Sequence, residues 1–213
     1  MFVDRMDAAA QLAAKLAHTL DAFDRHDVVI VGLPRGGVPV AAEIGRRLDL
    51  PVDVIVVRKV GVPGHRELAM GAIGEDAVRV VNDDVVGMAR VSDAEFAAIE
   101  QEERHELERR LEMFRGGHER VPLAGKVVVV VDDGLATGAS AKAACAVARA
   151  SGAVAVVLAV PVAPADWTER LGGVADHLVA VAAPRHFGAV GQFYGDFGEV
   201  SDADVVEALD SAR

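Results

Sequence analysis

The chain has 213 residues, of which 52% are hydrophobic and only 4% aromatic. This length suits one compact domain, and the many Ala, Val and Gly residues are typical of α/β proteins rather than β-sandwiches, membrane proteins or disordered chains. The formal net charge of -11, with no dense cluster of Lys and Arg, argues against a nucleic-acid partner. No apolar segment approaches the ~20 residues of a membrane span, so we expect a cytoplasmic protein with no membrane partner.

Hydrophobic spacing predicts alternating helices and strands in the first part of the chain. Leu12, Leu16 and Leu20 recur at helical spacing, which indicates an amphipathic helix. Short apolar runs at 28–32 and 52–57 are predicted strands, with a helix between them. Because these runs are apolar on both faces and alternate with helices, they favour a parallel sheet that is covered on both sides.

The middle of the chain changes in character. From Arg58 to Gly74 the sequence is rich in glycine, which predicts a long mobile loop that acts as a lid or binding segment, with a plain hairpin as the alternative. Ser92 and Glu95 then form a capping-box pattern that opens a long charged helix, ended at Gly116. We expect the charges of this helix to form a solvated face rather than a partner site.

The last third continues the alternation. Strands are predicted at 127–131, 153–160 and 177–181, and a short closing helix begins at Ser201. The single cysteine, Cys145, lies on the helix between the first two of these strands and is expected to pack rather than react. Together the elements predict an α/β fold: a doubly wound, mostly parallel sheet with helices on both faces.

Two acids end the valine strand at 127–131, where a doubly wound sheet places its ligands. Asp132 and Asp133 are expected to point to opposite faces and to accept hydrogen bonds from neighbouring hydroxyls of a sugar. The small residues that enter the next helix are Ala136, Thr137, Gly138, Ala139 and Ser140. Their backbone amides and the helix dipole suit a phosphate, so the stretch predicts a site for a ribose 5-phosphate. A simple N-cap and turn is the alternative.

The stretch 127–140 resembles the phosphoribosyl pyrophosphate (PRPP) motif of the type I phosphoribosyltransferases: an apolar strand, two acids, two variable residues, then Ala/Asp-Thr-Gly and Ser/Thr. The resemblance implies the type I fold, formed here by a single domain over residues 1–213 with a small C-terminal hood at 184–200. It also implies Mg²⁺ as cofactor, PRPP and a nucleobase-like small molecule as partners, and a homodimer. It assigns no residue of this chain as a metal ligand.

Two further segments carry the resemblance. "GLPRGG" resembles the family's pyrophosphate loop, which implies that Arg35 and Gly36 hold the diphosphate and that a cis peptide bond precedes Arg35. An ordinary strand-to-helix turn is the alternative. Arg58 and Lys59 resemble the basic pair that opens the family's catalytic loop, and with magnesium they would stabilise the leaving diphosphate. Asp133 would lie near the positively charged sugar.

The acceptor is less well specified. Members that act on 6-oxopurines have an aspartate where this chain has Ala136, so the resemblance favours acceptors such as adenine, orotate or uracil. In the hood segment Phe187 is a candidate to stack on the acceptor ring, with packing in the core as the alternative.

Two functions follow from these features. The first is Mg-dependent transfer of 5-phosphoribosyl from PRPP to a nitrogenous base with release of pyrophosphate. The second is a non-catalytic regulatory protein that binds PRPP or a nucleotide with the same fold. A PRPP-making pyrophosphokinase shares the motif, but those chains resemble two such domains in tandem.

Overall fold

The computed structural model describes residues 1–212 and contains a five-stranded and a three-stranded sheet. The helices are α1 (Arg5–Leu20), α2 (Gly37–Leu48), α3 (Asp83–Ala89), α4 (Asp93–Arg115), α5 (Ala139–Ala150), α6 (Trp167–Arg170) and α7 (Asp202–Ser211). The strands are β1 (Val28–Gly32), β2 (Val52–Val54), β3 (Arg58–Val62), β4 (His65–Ile73), β5 (Arg79–Val81), β6 (Val127–Val131), β7 (Ala155–Val162) and β8 (His177–Ala182).

The main sheet has the strand order β2-β1-β6-β7-β8, and every neighbouring pair is parallel. β6 lies at its centre, and all five of its valines are buried. Val128 and Val130 pack on one face of the sheet, whereas Val127, Val129 and Val131 pack on the other. Because both faces of the central strand are buried, its sequence is a continuous run of apolar residues.

Helices cover both faces of this sheet, as the sequence predicts. α1 and α2 pack on one face, and α5 packs on the other with Cys145 fully buried. Burial raises the pKa of the Cys145 thiol to about 12, so this side chain fills the core as a neutral group. The doubly wound α/β fold with a mostly parallel sheet is therefore confirmed.

The segment from Arg58 to Gly74 is not an irregular mobile loop but a β-hairpin, the alternative that the sequence left open. β3 and β4 pair antiparallel around a turn at Pro63 and Gly64, and β5 completes the second sheet. Gly64 has a φ of 77°, a conformation that favours glycine and suits a tight turn. The strand register shifts on both sides of Gly61, so the pairing of the hairpin is irregular there.

The long charged helix α4 begins at the predicted capping box and ends at Gly116, which has a φ of 55°. It is more than a solvated face, because Phe96, Leu107 and Phe114 pack into a third core cluster with the hairpin and α7. α4 thereby holds the hairpin beside the main sheet. Within residues 1–212 no helix has both the length and the apolar character that crossing a membrane requires.

Candidate functional site

The turns that follow β1 and β6 touch at the carboxyl edge of the main sheet. The amide of Leu33 donates to the carbonyl of Val131 at 2.8 Å. A Cβ atom on Gly36 would lie 2.0 Å from Oδ2 of Asp133, and one on Gly37 would lie 2.5 Å from the carbonyl oxygen of Val131. Only glycine permits this approach, so the two glycines of "GLPRGG" bring the first turn against the paired acids.

Arg35 lies at the outer end of this turn. The peptide bond between Pro34 and Arg35 is cis, as the resemblance implies. The Arg35 guanidinium is 44% exposed and donates from Nη2 to Oε1 of Glu199 at 2.8 Å. An exposed ion pair of this kind is weak, so a diphosphate could displace Glu199 from Arg35 at little cost.

Asp132 and Asp133 follow directly after the last residue of β6. Both carboxylates lie along the turn at Gly36 and Gly37, and Oδ1 of Asp132 accepts from the amide of Asp133 at 2.9 Å. Desolvation, and then the negative charge of Asp133, raises the pKa of Asp132 to about 8. The two carboxylates therefore interact electrostatically, and the expectation that they point to opposite faces stays a prediction.

Asp132→Asn should stabilise the ligand-free protein by about 1–2 kcal/mol above about pH 8 and much less near about pH 5. The folded state holds a proton on Asp132 that the unfolded chain releases near its usual carboxyl pKa, so native stability falls as pH rises towards about 8. Asparagine removes that dependence. Melting temperatures of both proteins across this pH range test the expectation, and an equal shift at every pH would contradict it.

The loop before α5 presents free backbone donors. Within residues 1–212 no protein acceptor contacts the amides of Ala136, Thr137, Gly138 or Ser140, whereas the Ala139 amide has a long 3.4 Å contact with Thr137 Oγ1. Gly138 has a φ of 77°, and a Cβ there would lie 3.1 Å from Leu171. This loop and the helix N-terminus behind it form a concave array of donors that suits a phosphate.

A first cavity of about 540 Å³, the hood-side cavity, opens between the acids and the C-terminal segment. Its lining comprises Arg5, Arg35, Gly36, Asp133, Val190, Phe197, Gly198, Glu199 and Val200. Arg5 forms an ion pair with Asp133, with 2.9 Å between Nη2 and Oδ2. The cavity therefore offers both charges and one aromatic ring, Phe197, to a ligand.

A second cavity of about 370 Å³, the hairpin-side cavity, lies on the other side of the same turn. Its lining comprises Leu33, Pro34, Val56, Val57, Arg58, Lys59, Arg66, Glu67, Glu103, Arg110 and Ser140. Arg58 is held by Glu103 of α4, with 2.7 Å from Nε to Oε2. The Lys59 side chain has no hydrogen bond or ion pair to any described residue, so its ammonium group is available to an anion.

The hood candidate Phe187 does not line either of these cavities. Its ring stacks on Phe193 with 5.2 Å between ring centroids, within an aromatic cluster that also contains Phe2 and Tyr194. Phe197 is the aromatic residue that the structure places in the lining of the hood-side cavity. This arrangement corresponds to the packing alternative for Phe187.

Sequence reasoning missed Arg5, Glu103, Arg110 and Phe197 as residues of the site. Arg5 precedes the predicted first helix, and Glu103 lies on the predicted charged helix, where its charge resembles those of any solvated face. No local pattern identifies them, because their partners are distant in sequence. Among the residues described, no cluster of three or more His, Cys, Asp or Glu side chains is placed to hold a metal ion.

Comparison with known proteins agrees with this geometry. Residues 3–177 match the family model of the phosphoribosyl transferase domain. The chain is 54% identical over its whole length to proteins of two Mycobacterium tuberculosis strains, CDC 1551 and H37Rv, each named "Putative phosphoribosyl transferase", and it spans 47% of their length. The crystal structure of TT1426 from Thermus thermophilus is 43% identical and superimposes with a TM-score of 0.87, and the match covers 98% of this chain and 97% of that one. The chain therefore belongs to the phosphoribosyl transferase domain family.

Proposed function

We propose that this protein transfers the 5-phosphoribosyl group from PRPP to a nitrogenous base and releases diphosphate. The observation that supports this most directly is the array of backbone amides at 136–140, which follows the paired acids and reaches the hairpin-side cavity at Ser140. One ligand with a phosphate, a vicinal diol and a diphosphate would use all of these features. The homodimer and the single-domain organisation with a hood at 184–200 are part of the proposal.

The donor would lie across the carboxyl edge of the main sheet. Its 5-phosphate would bind the amides of Thr137, Gly138 and Ser140, and its diol would donate to Asp132 and Asp133. Because its pKa is raised, Asp132 would have to lose its proton to accept from the diol, or else donate that proton to a diol oxygen. Ligand binding at this acid should therefore depend on pH.

The diphosphate would reach the hairpin-side cavity, where Lys59 is unpaired and Arg58 would exchange Glu103 for phosphate oxygens. Arg35 and the backbone at Gly36 would hold it from the other side of the turn. Mg²⁺ prefers phosphate oxygens and water to dedicated protein cages, so we treat the magnesium complex of PRPP as the substrate.

In the reaction the bond between C1 of the ribose and the diphosphate oxygen breaks, and the oxygen keeps the electron pair. A nitrogen lone pair of the acceptor then forms the new bond to C1, and the acceptor releases its N–H proton to solvent. Asp133 would stabilise the positive charge that develops on the sugar, while Lys59 and Arg58 would stabilise the leaving group. The hairpin would shield the intermediate sugar from water.

The acceptor would occupy the hood-side cavity, beside Phe197 and Asp133. With Ala136 in place of an acid before Thr-Gly, we favour acceptors such as adenine, orotate or uracil over 6-oxopurines. Phe187 would then support the hood through Phe193, unless ligand binding turns its ring towards the base.

Incubation of the protein with PRPP, magnesium and single nucleobases, with diphosphate release as the readout, tests this function. We expect release with at least one base, and background release when a chelator removes magnesium. PRPP binding without release in any arm would instead favour the regulatory alternative. Failure to bind PRPP at all would contradict both functions.

A further inference from the structure

The side chain of Arg5 lies inside the proposed site although α1 is otherwise a packing helix. It is 14% exposed, and its Nε and Nη2 approach Oδ2 of Asp133 at 3.0 and 2.9 Å. Its Nη1 donates to the carbonyl oxygen of Gly198 at 2.8 Å, and its guanidinium lies 4.1 Å from the centre of the Phe197 ring. Arg5 therefore joins the second acid of the motif to the wall of the hood-side cavity.

Both nitrogens that reach Asp133 contact the same carboxylate oxygen. Oδ2 is saturated by Arg5, so Oδ1 remains as the acceptor for a ligand hydroxyl. Two donors from the same guanidinium anchor this one oxygen of the carboxylate. Oδ2 of Asp133 is thus held in place before any ligand arrives.

The backbone of Asp133 is held from the same side. The hydroxyl of Tyr194 donates to the Asp133 carbonyl oxygen at 2.5 Å. The centroid of the Tyr194 ring lies 4.8 Å from that of Phe197 and 5.3 Å from that of Phe2. The segment 2–5 and the segment 193–198 are hydrogen-bonded to each other, for example from the Gly195 amide to the Phe2 carbonyl at 2.8 Å. Two distant parts of the chain therefore meet at one acid.

Electrostatics support a specific role for this contact. Desolvation raises the pKa of Asp133, and the hydrogen bond and charge of Arg5 oppose that rise. The other charged or titratable groups around Asp133 are Asp132 on the same turn, Tyr194 from the hood segment, and Arg35 and Glu199 across the cavity. Arg5, rather than Arg35, is the cation in direct contact with the Asp133 carboxylate.

We propose that Arg5 is a positioning residue of the transferase site, which keeps the Asp133 carboxylate ionised and oriented for the ribose diol and links it to the acceptor-side wall. This inference rests on the proposed function, because it assigns Asp133 to the diol. Arg5 acts through Asp133 and need not touch the donor. This role explains why the Arg5 side chain is largely buried next to Asp133.

The test compares wild type, Arg5→Lys, Arg5→Met and the control Arg46→Met, which removes an exposed ion pair on α2. Calorimetry measures affinity for Mg-PRPP and for inorganic diphosphate between about pH 6 and about pH 8. For Arg5→Met we expect PRPP affinity to fall by about tenfold or more near about pH 6, with a smaller loss near about pH 8. Diphosphate affinity should be unchanged, and Arg5→Lys should be intermediate.

Several results would overturn the proposal. Unchanged PRPP affinity in Arg5→Met would do so. An equal loss of affinity for PRPP and for diphosphate would also do so, because it indicates general disruption of the site. A loss of PRPP affinity that is the same at every pH would contradict the proposal as well. Carbon NMR of the Asp133 carboxyl, assigned with Asp133→Asn, gives a readout without ligand. Its titration should move to higher pH in Arg5→Met. If wild type fails to bind PRPP while this titration moves as expected, the proposed function is at fault rather than the role of Arg5.

Discussion

Lys59→Ala should lower the turnover number of the transferase by about a hundredfold to a thousandfold, while the melting temperature stays close to that of wild type. The Lys59 side chain lies in the hairpin-side cavity and has no ion pair or hydrogen bond to any described residue, so its truncation breaks no native contact of this kind. Its charge is needed mainly when the diphosphate leaves. The loss should therefore appear in kcat rather than in the KM for PRPP.

Lys126→Ala is a matched control for Lys59→Ala. Lys126 immediately precedes β6, at the opposite end of the strand from the acids, and pairs with Asp27 at 2.9 Å. It should leave kcat unchanged. A Lys59→Ala protein with normal turnover would remove Lys59 from the proposed chemistry. Wild type that binds PRPP without turnover, with an affinity that Lys59→Ala leaves unchanged, would favour a regulatory protein.

The parts of the fold that sequence predicts are those encoded by neighbours along the chain. The five valines of β6 are followed at once by Asp132, Asp133 and the small-residue loop, and both the buried strand and the free amides occur where the pattern places them. The same holds for the capping box at Ser92, whose side chain and that of Glu95 satisfy each other's backbone amides. Short-range geometry fixes these features, so local sequence is sufficient to find them.

The hairpin shows where this reasoning is weaker. Its glycines suggest a flexible loop, but Gly64 forms the turn and Gly61 lies where the Cβ of another residue would be 2.5 Å from the Arg66 carbonyl oxygen. Glycine therefore serves a tight turn and a close backbone contact rather than mobility. Composition alone does not distinguish these uses, because the partner strand and α4 decide whether the segment is ordered.

Buried charged residues give the weakest signal in the sequence. Arg5 is the first residue of α1 and Arg115 the last residue of α4, where charged side chains usually reach solvent, yet their side chains are only 14% and 10% exposed. Their partners, Asp133 and Asp53, lie 128 and 62 residues away along the chain. A single sequence contains no signal for pairs of this kind, since helical periodicity describes only which face of the helix is apolar.

Arg115→Met should destabilise the protein by about 3–5 kcal/mol, because it removes the cation from a buried ionic cluster. Arg115 ends α4 and contacts Asp53 on β2, Glu75 after β4, and the carbonyl oxygen of Val54. Asp53 and Glu75 are only 2% and 8% exposed, so the variant leaves two buried carboxylates short of a partner. Arg120, 3.6 Å from Glu75, compensates only in part.

Denaturant unfolding of Arg115→Met, with Arg109→Met as control, measures this loss. Arg109 lies on the same helix, is 60% exposed and pairs with Glu106 one turn away, so its replacement should change stability by less than about 0.5 kcal/mol. Adding Glu75→Gln to Arg115→Met should recover part of the stability, because it removes one unpaired charge. Equal effects of the two arginine variants would contradict a buried cluster.

Since the cluster joins the main sheet, the hairpin and α4, its loss should also displace Lys59. Arg115→Met should therefore lower kcat even where the protein remains folded.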